Sequence, residues 1–320
     1  MKIVVLDGKT LNPGDNPWTP IEALGETTVY DRTSVDEIVD RVGDAAVVLT
    51  NKVPFDAATL AELPNLKFIA VTATGYNVVD VAAASKLGIQ VSNVPEYSTR
   101  AVAQHVFAML LSFLHRPYQH HDAIQDGQWQ RGLDFSFTLL PIEELTGKTM
   151  GVVGLGRIGR ATAAVANAFG MRVIASSRTQ RDDLPYDGFQ WVEQATLFSE
   201  SDVISIHCPL TSDNAEFVNA ELLKQMKPTG ILINTARGAL IDEPALASAL
   251  NNDQLAGALL DVVSTEPIGA DNPLLSAKNC LITPHVAWAT KSARKTMMNL
   301  TAANVQAFLA GTPTNLVTSS

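Results

Sequence analysis

With 320 residues, 46% of them hydrophobic and 18% charged, the chain has the size and composition of two globular domains with substantial cores. Its formal net charge of −10 excludes a phosphate-backbone reader, which needs a basic face, but not an anionic small molecule held by one or two cations. The first apolar run, Ile3–Leu6, is too short for a signal peptide, and Gln104, His105 and Ser112 interrupt the most apolar longer stretch. Cys208 and Cys280 lie far apart and away from any His/Cys cluster. A cytoplasmic protein with reduced, buried thiols, no membrane span and no metal is expected.

Short apolar runs predict strands at 2–6, 28–30, 46–50, 67–72 and 90–92, separated by amphipathic segments at 34–42, 56–63 and 79–87. This βαβ rhythm implies a parallel sheet with helices on both faces. A long helix follows from Ser98 to about His115, with Ser98 or Thr99 as its cap. The less regular stretch from His120 to Glu144, which contains Asp126-Gly127, Gly132 and Pro141, reads as a helix plus an extended arm. The rhythm restarts with strands at 149–153, 172–176, 203–207, 231–235, 258–262 and 280–283, and a last helix spans about 291–309. The fold class is α/β, with two doubly wound parallel-sheet domains. Residues 1–98 and 291–320 form a discontinuous, flavodoxin-like substrate domain; residues 99–290 form a Rossmann dinucleotide-binding domain that includes the arm.

The segment Gly151-Val152-Val153-Gly154-Leu155-Gly156-Arg157-Ile158-Gly159 runs from a strand into G-x-G-x-x-G and then a helix. Gly154 suits the tight turn, Gly156 lets backbone approach a pyrophosphate, and Gly159 packs helix on strand. The helix N-terminus then points its amides at phosphate. At the end of the next strand, where a carboxylate would grip the ribose hydroxyls of NAD, stand Ser176-Ser177-Arg178-Thr179. A hydroxyl and a forked cation suit a 2′-phosphate instead, so NADP(H) is the expected cofactor, with NAD(H) second.

Three polar residues follow apolar strands in the second half: Arg237 after Thr235-Ala236, Glu266 after Asp261-Val262, and His285 after Thr283-Pro284. Ligands of open parallel sheets sit beyond the carboxyl ends of the strands, so these groups converge on one crevice. Arg237 can hold a carboxylate and polarise a carbonyl, His285 can protonate the developing alkoxide, and Glu266 can orient the imidazole.

These motifs, in this order and over essentially the whole chain, resemble the D-isomer-specific 2-hydroxyacid dehydrogenase family. The resemblance implies Arg237, Glu266 and His285 as catalytic groups and Asp261 as the nicotinamide-carboxamide contact. It further implies Arg157 and Ile158 at the pyrophosphate, Thr99 near the nicotinamide ribose, Cys208 and Pro209 beside the adenosine, and Thr235 and Ala236 as further cofactor contacts. Thr74-Gly75-Tyr76 corresponds to a carboxylate-binding turn, and Asn51-Lys52-Val53 lines the same cleft. Segments 48–55, 134–137 and 285–290 are most similar to glycerate dehydrogenases, or hydroxypyruvate reductases, with glyoxylate reduction as a companion activity. A homodimer built on residues 98–144 is implied, and a chain end at Ser320 sets the sequence apart from the long, effector-regulated phosphoglycerate type.

Duller readings accompany some residues. Trp288 either walls the substrate pocket or packs at the dimer seam, and the lesser reading of Asp261 is a helix cap. His105, His115, His120 and His121 read as packing or solvated, and His207 as structural. The adjacent pair His120-His121 lacks partner ligands at useful spacing for a metal. Three alternatives stay open: a dinucleotide-sensing, corepressor-like binding protein; a dehydrogenase for a bulkier 2-keto acid; and an enzyme of the same fold that oxidises formate or phosphite.

Overall fold

The computed structural model describes residues 1–180 and 184–318. The chain divides into two compact units, Met1–Ser98 with Trp288–Ser320, and Thr99–Ala287.

The first unit contains strands β1 (Lys2–Val5), β2 (Glu26–Val29), β3 (Val47–Thr50), β4 (Phe68–Val71) and β5 (Gln90–Ser92), all parallel in the order β2-β1-β3-β4-β5. Strand side chains alternate between faces, and here both faces are buried. Ile3, Val5, Leu49 and Phe68 face Trp18, Ile21 and the terminal helix Lys291–Leu309, while Val4, Val48 and Ile69 face Ile38, Val42 and Leu60. Two-sided burial is why these strands read as continuous apolar runs rather than as alternating ones. Phe308 stacks on Phe68 with 4.5 Å between ring centroids, anchoring the last helix to this sheet.

The second unit contains β6 (Thr149–Val153), β7 (Arg172–Ser176), β8 (Gln190–Trp191), β9 (Val203–Ile206), β10 (Ile231–Asn234), β11 (Gly257–Leu260) and β12 (Cys280–Ile282). Its sheet is parallel, in the order β12-β11-β10-β9-β6-β7-β8. The order reverses between β6 and β9, the switch point at which open α/β sheets bind ligands. On one face lie the helix Thr99–His115, through Val106, Phe107 and Leu110, and the helix Arg157–Ala168, through Ala163 and Ala166. Leu197, Phe198, Leu246 and Leu250 cover the other face. Beyond the long helix come Pro117–Gln125, Gln128–Arg131 and an arm with no regular structure up to β6.

Helix starts follow the expected chemistry: Asp56, Asp80, Asp242 and Thr290 each accept the amide three residues on, satisfying donors that the first turn leaves orphaned. Three details differ from the sequence reading. Strand β2 begins two residues early because the Glu26 amide already pairs with the Met1 carbonyl. Strand β8, two residues long, carries no periodicity that could announce it. Cys208 and Cys280 are half-buried rather than buried.

Candidate active site

The glycine loop leaves β6 at the switch point. Gly154 has φ +89°, and a Cβ there would stand 2.6 Å from the Cys208 amide nitrogen; a Cβ on Gly159 would stand 2.3 Å from the Gly154 carbonyl oxygen. A Cβ on Gly156, by contrast, would meet nothing within 4 Å. Gly156 is also the N-cap of the helix Arg157–Ala168 and supplies no side-chain acceptor to its first-turn amides. Around them is a cavity of about 820 Å³ lined by Gly154, Gly156, Arg157, Ser177–Thr179, Cys208 and Pro209 among others. Asp213 is the sole carboxylate among its described lining residues. Ile158 and Gly159 lie behind this rim, half-buried and buried. An open backbone cradle at a helix N-terminus, with a roomy cavity beside it, fits a dinucleotide pyrophosphate.

His207 ends β9 on the same cavity wall. Its Nε2 is hydrogen-bonded with the Ser205 hydroxyl at 2.8 Å, and burial pushes the imidazole down to about 4, so it is neutral near pH 7. Burial pushes the adjacent Cys208 thiol up, and so holds it uncharged.

Arg237, Glu266 and His285 follow β10, β11 and β12, three neighbouring parallel strands, and therefore share the carboxyl edge of one sheet. His285 Nδ1 lies 2.6 Å from Glu266 Oε2. Glu266 Oε1 accepts the Val263 amide of its own loop at 3.3 Å. With Nδ1 committed to the carboxylate, Nε2 is the imidazole atom left for proton exchange. The exposed Arg237 guanidinium donates to the Ala236 carbonyl at 2.7 Å. The Thr235 hydroxyl is buried, with no hydrogen-bond partner among the described residues.

Asp261 holds this arrangement in place. It caps no helix, and its carboxylate turns inward, 1% exposed. Its carbonyl accepts the His285 amide at 2.8 Å, Oδ1 that of Val286 at 2.9 Å and Oδ2 that of Ala287 at 2.8 Å. One residue thus captures three consecutive amides and fixes His285 at φ +54°, a left-handed conformation that costs a non-glycine residue about 1–3 kcal/mol. Oδ1 also accepts the Thr283 hydroxyl at 2.6 Å. That hydroxyl has one proton to give, so His105 Nε2, 3.0 Å away, must donate to it. His105 is therefore neither solvated nor mere packing. Burial alone would raise the Asp261 carboxyl, but the hydrogen bonds from His105, Thr283 and the loop amides outweigh it and hold the group below the usual carboxylate range.

Thr99 is half-buried at the start of the long helix. His120 donates from Nδ1 to the Arg116 carbonyl and accepts the Leu139 amide at Nε2, which pins the arm. Among the described residues, no group of three or more His, Cys, Asp or Glu could hold a metal ion, and no helix is long and apolar enough to cross a membrane.

In the first unit, Asn51 is buried, its side-chain amide donating to the Thr72 carbonyl at 2.6 Å; Lys52 is exposed. The Asp7 carboxylate, at the end of β1, accepts the amides of Asn51, Lys52 and Val53. Burial pushes this carboxyl up despite those three bonds. The Thr74 hydroxyl donates to the Val94 carbonyl, and Asn93 donates to the Thr74 carbonyl. These bonds tie down the turn containing Gly75 and Tyr76. Trp288 packs edge-on against Tyr97, 6.2 Å between centroids, and on the apolar cluster under the last helix. Asp7 and Glu243 went unread in the sequence; their partners are backbone amides for Asp7, and one amide and two remote side-chain groups for Glu243, which no spacing announces.

The second sheet and its glycine loop define a dinucleotide-dependent oxidoreductase architecture. Comparison with known proteins makes this specific. Residues 107–287 match the family model "D-isomer specific 2-hydroxyacid dehydrogenase, NAD binding domain", and the chain belongs to that family as an NAD(P)-dependent enzyme. It is 48% identical to a hydroxypyruvate reductase of Blautia hydrogenotrophica, over 99% of both chains. It is 40% identical to a glycerate dehydrogenase of Methylorubrum extorquens, over 99% of this chain and 98% of that one. An NADPH-dependent glyoxylate/hydroxypyruvate reductase of Sinorhizobium meliloti, solved with NADP and malonate, superposes with a TM-score of 0.81 at 31% identity, covering 99% of this chain and 96% of the other.

Proposed function

We propose that the protein reduces hydroxypyruvate to D-glycerate with NADPH, and glyoxylate to glycolate as a companion activity. The carrying observation is the 2.6 Å His285–Glu266 pair on the sheet edge that also bears Arg237. The hydroxypyruvate and glycerate relatives at 48% and 40% identity support the substrate.

A bound nicotinamide dinucleotide supplies the hydride. Gly154, Gly156 and the amides of Arg157 and Ile158 hold its pyrophosphate, with Gly159 keeping the helix close. Ser177, Arg178 and Thr179 take the 2′-phosphate; Cys208 and Pro209 lie along the adenosine. Thr99, Thr235 and Ala236 serve the nicotinamide end, and Asp261 serves it through the loop it clamps. Arg237 binds the substrate carboxylate and draws electron density from the carbonyl oxygen. Imidazolium Nε2 of His285 gives its proton to that oxygen as negative charge develops, and recovers it in the reverse direction. Glu266 stabilises the imidazolium through Nδ1 and sets the ring's orientation. Asn51, Lys52, Thr74, Gly75 and Trp288 complete the substrate contacts.

The NADP(H) preference rests on Ser177 and Arg178 lining the cavity where NAD-specific sites carry a carboxylate. The homodimer reading rests on the arm, where Leu133 is 103% exposed and Phe135 91% exposed, more apolar surface than a free monomer ordinarily shows. Steady-state kinetics on a panel of 2-keto acids with NADPH and NADH test the assignment. Hydroxypyruvate should give the highest kcat/KM, with NADPH favoured at least tenfold. A tenfold preference for NADH refutes the cofactor, a bulkier keto acid in first place refutes the substrate, and inactivity throughout points to a binding protein.

A further inference from the structure

We propose that Glu243 is a positioning residue of the active site, a buried carboxylate that holds the Glu266 loop so that Glu266 meets His285. The proposal rests on reading Glu266 and His285 as the proton-handling pair. Glu243 opens the helix Glu243–Asn251, whose N-cap, Asp242, already accepts the Ala245 amide. The Glu243 side chain is therefore not needed at the helix start, and it turns away. It is 7% exposed, and it accepts the Ser264 amide at 2.6 Å, the Ser264 hydroxyl at 2.9 Å and the Asn272 side-chain amide at 2.8 Å. These donors bracket Glu266. Ser264 lies two residues before it, and Asn272 closes the same loop onto the turn Pro273–Ser276.

The Glu243 carboxylate thus reaches the loop on both sides of Glu266. Gly238 presses on its base, where a Cβ would fall 1.8 Å from the Val263 carbonyl carbon, but that contact is steric and does not orient. Ser264, Thr265 and Glu266 are all exposed, between the core residue Val263 and the partly buried Ile268. The nearby Cys280 thiol is pushed up to about 12, by burial first and by the Glu243 charge second. Both oxygens of this buried carboxylate are engaged as acceptors, Oε1 by one donor and Oε2 by two. Glu243→Gln would turn an NH2 group on at least one of them and release the loop.

The test is a double-mutant cycle in the full-length enzyme, read by the pH dependence of keto-acid reduction and by cofactor affinity. Glu266→Gln alone should draw the alkaline limb of the profile to lower pH, because the imidazolium loses its anionic partner. Glu243→Gln should draw it the same way and lower kcat about tenfold, while the NADPH dissociation constant is unchanged. The double variant should be no worse than Glu266→Gln. If Glu266→Gln leaves the profile alone, the proton-handling reading fails. If Glu266→Gln moves it and Glu243→Gln does not, or if the two losses add, the positioning role fails. Should Glu243→Gln not fold, Ser264→Ala and Asn272→Ala each remove one donor and keep the carboxylate. A smaller shift in the same direction from both supports the proposal, and an unmoved limb in both overturns it.

Discussion

His285 sits in a backbone conformation that few side chains tolerate, held there by three amide bonds to one carboxylate-bearing residue. The imidazole is thus placed before any substrate arrives, and its contribution should be chemical rather than adhesive. His285→Ala is expected to lower kcat by about 10²–10⁴-fold with the NADPH dissociation constant within a factor of two or so. Fluorescence titration beside steady-state rates distinguishes this from a cofactor-binding defect, and a matching loss of affinity would contradict it. The three polar groups were legible in the sequence because each follows an apolar strand, and strand ends mark one edge of a parallel sheet. Asp7, His105 and Glu243 were not. They act on backbone amides or through an intervening hydroxyl, from strands and helices remote in the chain, and such bonds leave no spacing to read.

At the scale of elements, β9 delivers two residues to the cofactor cavity in an uncharged state, His207 and Cys208. The linkage consequence for His207 has a definite sign. Its folded value of about 4 lies below the ordinary imidazole value, so between these limits the unfolded chain binds the proton and the folded chain does not. The folded state is therefore unburdened above about pH 6.5 and loses up to about 3 kcal/mol as pH falls to 4. Thermal melts of wild type and His207→Asn across that window should diverge, with wild type falling more steeply toward acid. Parallel curves would show that the imidazole charges freely in the fold. Most elements were foreseeable within a residue or two, because two-sided burial writes strands as unbroken apolar runs. Strand β8 escaped because two residues are too few to show a pattern.

Across the whole molecule, both sheets follow doubly wound orders with their ligand-side loops at the switch points. The first has Asp7 and Asn51–Val53 there, the second Gly154–Gly156 and His207–Pro209. In the arm after the long helix, Leu133, Phe135 and Ile142 stand in solvent in a single copy. If the arm forms the proposed homodimer, Phe135→Asp should halve the sedimenting mass while leaving the monomer folded by circular dichroism; an unchanged mass would count against a dimer built on this arm.

The three-amide grip of Asp261 also governs how freely the neighbourhood of the His285 imidazole can vary. Val286 lends the clamp only its main chain and points a 39% exposed side chain outward, so nearly any amino acid except proline can replace it at no cost to the chemistry. Asp261 has no such latitude: a glutamate would reach one methylene too far, and an asparagine would meet an amide with a donor of its own. Diversity on this loop is cheap at its surface and forbidden at its root.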